Sequence, residues 1–478
     1  MIKAIKGIMV GNTIADDRAK TEDDLTHPFF ALLVILVIAV VAANFIPSGA
    51  YERVAFEGRT IVDANSFEYV EKKYVGISEF FTSFYYGFKS TSGLMALIFF
   101  AGGAFGVVKN IGLLESAIKA VSFKLRNTHF SIIALVMMTL IGTQIAFTSL
   151  WELSIVMIPM VVPLVLALGY DRVVGASIVI LAACAGFGAA LTNPLFTAIA
   201  HKIAELPIYS AMWYRGIVFV VVLAVCYIYL MVYAAKVKKD PKKSLVYGIE
   251  SDYKALDDSI AEFTAPLKRA GVAFLAMFAF LLYGVISLGF DFPEISATFV
   301  ALAFVVGLAY GSNLNKICKM FGEGMKDIFF AATVMFFAMA VLHVLKEAQT
   351  IDTIIAFFAD LVTGHSPIVT ANLMLFMQSA INFFIPSGSG QALITMPIMV
   401  PLADLGDVNR QVAALASQLG DGFSNFIYPT NGTLLAILMA AGIPYSKWFK
   451  FFFPLFLILM VISALAVSIA VMINLGPF

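Results

Sequence analysis

Charge is what this sequence has least of. Only 13% of its 478 residues are Asp, Glu, Lys or Arg, and 31 basic residues balance 31 acidic ones, so the formal net charge is zero. That removes the basic surplus of a nucleic-acid binder, and nucleic acid is excluded as a partner. Cysteine is scarce too: Cys184, Cys226 and Cys318 lie in or beside apolar stretches with no CxxC or Cys/His spacing. Neither a disulfide framework nor a zinc site is indicated, and all three read as packing residues. The five histidines, His27, His129, His201, His343 and His365, are scattered without ligand spacing. No nucleophile elbow, HExxH or pair of carboxylates at catalytic spacing occurs, which argues against an enzyme and against a cofactor other than a coupling Na+ or H+.

What is abundant is apolar surface. The chain is 61% hydrophobic with a mean hydropathy of +0.92, against roughly 45–50% for a soluble domain. It reads as an all-α polytopic membrane protein whose medium is the lipid bilayer. The first 26 residues are polar and precede the first apolar run, the wrong order for a cleaved signal peptide. Segment 1-26 is therefore expected to be a cytoplasmic extension, and the first run a retained helix.

Nine runs are long enough, at about 20 residues, to cross the hydrocarbon core: 28-47, 93-109, 173-205, 211-236, 268-288, 294-310, 327-345, 411-442 and 451-474. Two of them, 173-205 and 411-442, are too long for one helix and are interrupted by TNP and TNG, so they read as discontinuous helices. Two further segments, 129-168 and 367-403, each hold an apolar run, a polar or Gly-rich break, and a second apolar run carrying PxxxP. They read as re-entrant hairpins, since only then does the charge distribution obey the positive-inside rule. With the N-terminus inside, Lys109, Lys119, Lys124, Arg126, Lys236, Lys238, Lys239, Lys242, Lys243, Lys316, Lys319, Lys326, Lys447 and Lys450 all face the cytoplasm. The C-terminus is then outside. Residues 51-75 read as a small external flap, ESAIKAVSFKLR as an amphipathic helix on the cytoplasmic face, and the 44 Phe and other aromatics as lipid-facing belts.

The chain also repeats itself. TSLWELSIVMIPMVVPL (148-164) aligns with PSGSGQALITMPIMVPL (386-402) at an offset of 238, which sets Pro159 on Pro397, Pro163 on Pro401, Ser149 on Ser387 and Arg172 on Arg410. The same offset sets Thr192 and Asn193 on Thr430 and Asn431. Five crossings separate the two copies, an odd number, so the repeat is inverted. The expected domains are 27-236 as first repeat (hairpin 129-168, broken helix 173-205), 237-267 as cytoplasmic linker, and 268-478 as second repeat (hairpin 367-403, broken helix 411-442). Inverted repeats with helices broken near the midplane are the mark of secondary transporters.

Backbone that leaves helical geometry inside a bilayer needs protein, water, ion or substrate to satisfy it. Four such places pair by symmetry: the tip Thr148-Ser149, the break Thr192-Asn193-Pro194, the tip Ser387-Gly388-Ser389-Gly390-Gln391, and the break Thr430-Asn431-Gly432-Thr433. Their hydroxyl, amide and freed carbonyl oxygens suit Na+, and N–H groups at half-helix N-termini suit a carboxylate. These residues are the expected substrate site. Two acidic residues break the symmetry: Glu152 just after the first tip, and Asp421 in DGFSNFIYPTNG. A carboxylate at membrane depth costs about 2.5 kcal/mol or more on insertion scales. Glu152 and Asp421, with Asn193 and Asn431, are accordingly the expected ion-coupling residues, and Glu152 also a substrate ligand; the alternatives are that Glu152 caps the next helix and that Asp421 is a structural carboxylate. No Lys or Arg lies inside the four motifs, so a cation, a proton or an amine-bearing substrate is favoured over a bare dicarboxylate.

IPSGSGQALITMPIMVPLADL, GFGAALTNP, FAGGAFGVV and YPTNGTLLAIL together resemble the YfcC-like family of basic amino acid antiporters, related to the anaerobic C4-dicarboxylate carriers of the ion transporter superfamily. The resemblance covers residue 27 to the C-terminus. It implies a homodimer with a scaffold and a mobile, elevator-type transport domain, with the tips and breaks lining the substrate and coupling-ion sites. The tips carry Thr-Ser and Ser-Gly-Ser where the sodium-coupled dicarboxylate branch carries Ser-Asn-Thr. The expected function is secondary transport of an amino acid, of the arginine/ornithine exchange type, across the inner membrane with H+ or Na+; a Na+-coupled carrier of C4-dicarboxylates or short-chain acids is the alternative.

Overall fold

In a bilayer core the backbone has no water to bond, so apolar runs close their hydrogen bonds internally as helices. The computed structural model describes residues 28–476 except 57–58, 64, 126–127, 194–195, 250–263, 289 and 363. The N-terminal segment, Arg126, Pro194 and residues 250–263 of the expected linker thus lie outside the described residues. The chain begins with α1 (Pro28–Phe45), then four short strands, β1 (Gly49–Ala50), β2 (Arg53–Phe56), β3 (Arg59–Val62) and β4 (Glu68–Tyr69). There follow α2 (Ile77–Asn110), α3 (Leu113–Leu125), α4 (Phe130–Thr148), α5 (Ser154–Ala167), α6 (Arg172–Gly188), α7 (Thr197–Ile203) and α8 (Met212–Lys239). The second half holds α9 (Ala265–Ser287), α10 (Phe292–Tyr310), α11 (Leu314–Asp327), α12 (Phe329–Glu347), α13 (Ile351–Val362), α14 (Pro367–Phe384), α15 (Gly388–Leu405), α16 (Arg410–Ser424), α17 (Gly432–Ala440) and α18 (Tyr445–Met472). Eight of these, in α2, α4, α8, α9, α10, α12, α14 and α18, are long and apolar enough to span a bilayer. The protein is a mostly helical, multi-pass membrane protein.

Several expectations change in detail. The span expected at 93-109 starts at Ile77 and runs 34 residues. Its polar residues do not interrupt it, because Ser83, Ser90, Thr91 and Ser92 each return their hydroxyl to a carbonyl three or four residues earlier. The aromatics are not confined to lipid-facing positions: Phe196, Phe299, Phe423, Phe426, Phe452 and Trp448 are fully buried between helices. Cys318 is exposed, so of the three cysteines only Cys184 and Cys226 are packing residues.

Helices α1, α2 and α9 to α12 pack on one another, and α4 to α8 pack with α14 to α18. In the first group Gly102 and Gly106, four residues apart, bring α2 onto α11, where a Cβ at Gly106 would stand 2.5 Å from Gly324 Cα. Small residues at this spacing let helix backbones touch, which drives association in lipid. The two groups meet where α12 packs on α17 and α2 on α5. Residues 48–70 fold over one end: β1 pairs with β4 and β2 with β3, both antiparallel. Asp352 of α13 anchors them, accepting from Arg53 Nη2 with both oxygens at 2.9 Å and from the Tyr51 N–H at 3.0 Å.

Candidate functional site

The interior polar groups gather where α6 and α16 cross. The two backbones touch there, since a Cβ at Gly422 would lie 2.4 Å from Gly188 Cα. On one side the chain leaves helical geometry after Gly188 and resumes at Thr197; on the other it does so between Ser424 and Gly432. The turns of the α4/α5 and α14/α15 pairs reach the same region. Trp151, in the turn after α4, packs on Phe187 of α6 and on Phe426 of the second interruption, with ring centroids 5.9 and 4.9 Å apart. Gly388, first residue of α15, faces Asp421, Phe196 and Phe187, and a Cβ on it would meet Asp421 Oδ2 at 3.4 Å. One aromatic, Phe187, thereby borders both turns.

The individual residues differ in how far their polar atoms are engaged. Thr148 is satisfied locally, donating to Gln144 O at 3.0 Å. Ser149 ends α4 in a left-handed conformation (φ 60°) that aims the chain into the turn, and its Oγ is buried with no partner among the described residues. Glu152 is half-buried and its Oε2 is also unpartnered. It does not cap α5, whose N-cap is Leu153 with no side-chain bond. Thr192 clamps the first interruption to α4 through Phe147 O at 2.9 Å, and Asn193 Oδ1 accepts from the Phe196 N–H at 2.8 Å.

In the second half Ser387 caps α15, accepting from the Gly390 N–H at 3.3 Å, while Ser389 is half-buried beside it. Gln391 turns back onto the other arm of its pair, donating to Gln378 Oε1 at 2.6 Å. Asn431 caps α17 and donates to Asn425 Oδ1 at 2.6 Å. Asp421 is 1% exposed with Oδ1 unpartnered, as are Thr430 Oγ1 and Asn382 Oδ1. Thr433 is buried, and Gly432 lies against α12, where a Cβ would meet Met335 Cα at 2.8 Å. Hydroxyl, amide and carboxylate oxygens are hard donors of the kind Na+ takes, not the soft ones a transition metal selects.

Sequence reasoning missed the residues that satisfy the interruptions. Gln418, 2% exposed on α16, accepts from Thr197 Oγ1 at 2.6 Å and donates to Ala190 O at 3.0 Å. Arg215, 1% exposed near the start of α8, gives its whole guanidinium to carbonyls, those of Ala190 (3.1 Å), Leu191 (3.0 Å), Ser210 (2.8 Å) and Tyr209 (3.3 Å). His201 is buried against Gln411, with Nε2 to Nε2 at 3.2 Å. A signal existed: Gln411 and Gln418 of α16 and Asn425, its C-cap, recur every seven residues, hence on one face of the helix.

Polar side chains with buried, unpartnered atoms thus collect inside a bundle of membrane-length helices. The model of the family described as DcuC, C4-dicarboxylate anaerobic carrier, matches residues 25–472. The chain belongs to that family, whose members are transporters and not enzymes. It is 31% identical over 389 residues to the Escherichia coli protein named "Putative basic amino acid antiporter YfcC", covering 78% of this chain and 76% of that protein. It is 28% identical to an uncharacterized protein of Haemophilus influenzae, over 94% of this chain and 88% of that one. Among solved structures, Neisseria gonorrhoeae MtrF, described within a class of antimetabolite efflux pumps, shares 18% identity and a TM-score of 0.43, over 95% of this chain and 97% of that one.

Proposed function

We propose that this chain is an inner-membrane secondary transporter that exchanges amino acids of the arginine or ornithine type, coupled to H+ or Na+, as a homodimer with N-terminus inside and C-terminus outside. The architecture proposed is an inverted repeat in which α4/α5 and α14/α15 are re-entrant hairpins and α6/α7 and α16/α17 are broken helices. The hairpins and broken helices form a transport domain that moves as an elevator against the scaffold of α1, α2 and α9 to α12. The residues proposed to line the site are Thr148, Ser149, Glu152, Thr192, Asn193, the tip 387–391 and the break 430–433, with Asp421 in ion coupling.

Two features support the repeat. Helix starts recur at steps of 237 or 238: Pro28 and Ala265, Ile77 and Leu314, Leu113 and Ile351, Phe130 and Pro367, Arg172 and Arg410. A tertiary contact recurs as well. Arg172 Nη1 donates to Gly442 O at 2.9 Å, and Arg410 Nη1 donates to Ala204 O at 3.4 Å. Since 172 to 410 and 204 to 442 are both steps of 238, each repeat's arginine binds the matching carbonyl of the other repeat.

The observation that carries the substrate reading is Glu152: a carboxylate at the first tip with a buried, unpartnered oxygen and no ion-pair partner among the described residues. An amine answers it, while the hydroxyls and half-helix N-termini of the tips answer an α-carboxylate. The name of the E. coli relative agrees with this. The family match favours a second reading, a Na+-coupled C4-dicarboxylate carrier, in which Glu152 has no amine to bind. Uptake and counterflow of radiolabelled arginine, ornithine, glutamate, succinate and acetate into proteoliposomes, with and without Na+ or pH gradients, separates the two. Arginine or ornithine counterflow abolished by Glu152→Gln supports the exchanger. Sodium-driven succinate uptake indifferent to that substitution refutes it.

A further inference from the structure

The two interruptions are equivalent under the repeat, yet different chemistry satisfies their freed carbonyls. At the first, Ala190 O and Leu191 O, just beyond the C-terminal end of α6, accept from the Arg215 guanidinium. At the second, Phe426 O accepts from Trp448 Nε1 at 2.9 Å and Ile427 O from Tyr445 Oη at 2.6 Å, both neutral donors. The position matching Arg215 is Phe453, 41% exposed. The acidic groups are skewed the other way: Asp421, with its unpartnered oxygen, stands by the second interruption, and the matching position in the first is Ala183.

A half-helix C-terminus carries a partial negative charge, and unwound carbonyls at such ends are where transporters hold coupling cations. Arginine stays protonated at any pH a cell reaches and offers five donors in a rigid fork. Every hydrogen-bond acceptor of Arg215 is a backbone carbonyl, so its positive charge meets no carboxylate among the described residues. A buried charge without a counter-charge is costly to keep, and here it lies against the negative end of α6.

We infer that Arg215 is a resident cation standing in the place of a coupling ion at the first break, so that the chain binds one coupling cation, at the second break beside Asp421. This rests on the coupled-transporter reading above. Arg215 is a positioning residue: it occupies the Ala190 and Leu191 carbonyls and repels a mobile cation from that end. The second break keeps a carboxylate and neutral donors, and so keeps its affinity for one.

The test counts bound cations without needing the substrate. Thermal unfolding of the purified full chain is followed against Na+ at constant ionic strength with choline replacement, and against pH without Na+. In the wild type the unfolding free energy above the dissociation constant is expected to rise against RT ln of the cation concentration with a slope of about 1, one cation per chain. Asp421→Asn is expected to remove that dependence and Arg215→Lys to preserve it. Arg215→Gln, where it folds, opens the first break to a second cation and raises the slope toward about 2. A slope of about 2 in the wild type, or a single-site dependence that survives Asp421→Asn, overturns the inference and leaves cation coupling standing. No dependence on Na+ or pH overturns both.

Discussion

Gln418 ties α16 to the first interruption, and removing its amide should loosen the crossing of α6 and α16. In Gln418→Leu, a substitution of similar size, the Thr197 hydroxyl, 2% exposed, loses its 2.6 Å acceptor. Gly188 O loses a long contact at 3.4 Å. Ala190 O loses the Gln418 amide but keeps Arg215 Nε at 3.1 Å. One buried polar group left unpaired costs about 1–3 kcal/mol, and the weak Gly188 contact adds little. The loss should total about 2–4 kcal/mol once the shared Ala190 acceptor is included. Thr197→Val removes the orphaned hydroxyl, so adding it to Gln418→Leu should return about 1–2 kcal/mol of that loss. Unfolding midpoints of the detergent-purified wild type, both single variants and the double variant close the thermodynamic cycle. An unchanged midpoint for Gln418→Leu, or a double variant that is merely additive, would refute the claim that this side chain pins the interruption.

Gly422→Ala puts a methyl 2.4 Å from Gly188 Cα, a clash that only separation of two helices relieves. It should lower the thermal midpoint by an amount equivalent to about 1–3 kcal/mol, and an unperturbed midpoint would contradict the close crossing. Outside the membrane, burial and then the carboxylates of Asp352 and Asp360 push the Tyr51 phenol up to about 12. The fold therefore favours neutral Tyr51. Its contribution to stability is complete below the free phenol's pKa of about 10 and is lost as pH rises from there toward 12. Absorbance titration of tyrosinate, compared between wild type and Asp352→Asn, should show this phenol ionising at lower pH in the variant.

Helix positions and polar interruptions were largely legible because hydropathy is a local property. Thr192–Asn193 and Thr430–Asn431 fall where the helices stop, since Asn favours capping over helix interiors, and Asn431 does cap α17. The start of α2 was not legible: Ser and Thr hydroxyls in an apolar run look like a break and are instead absorbed by the helix's own carbonyls. Asn193 and Asn431 each accept from the backbone N–H three residues on, and Asn431 also donates to Asn425, a partner more distant than its own turn.

By itself the sequence determined the medium and most of the helices, consequences of composition and of spacing along the chain. It also carried Glu152 and Asp421 as acids in apolar surroundings, where charge is conspicuous. Only the tertiary structure decided which groups answer the interruptions. Arg215 lies more than 20 residues from the Ala190 and Leu191 carbonyls it binds and Gln418 more than 200 from Ala190. Their meeting depends on how α6, α8 and α16 cross, which close packing of small residues such as Gly188 and Gly422 sets and which no local pattern encodes.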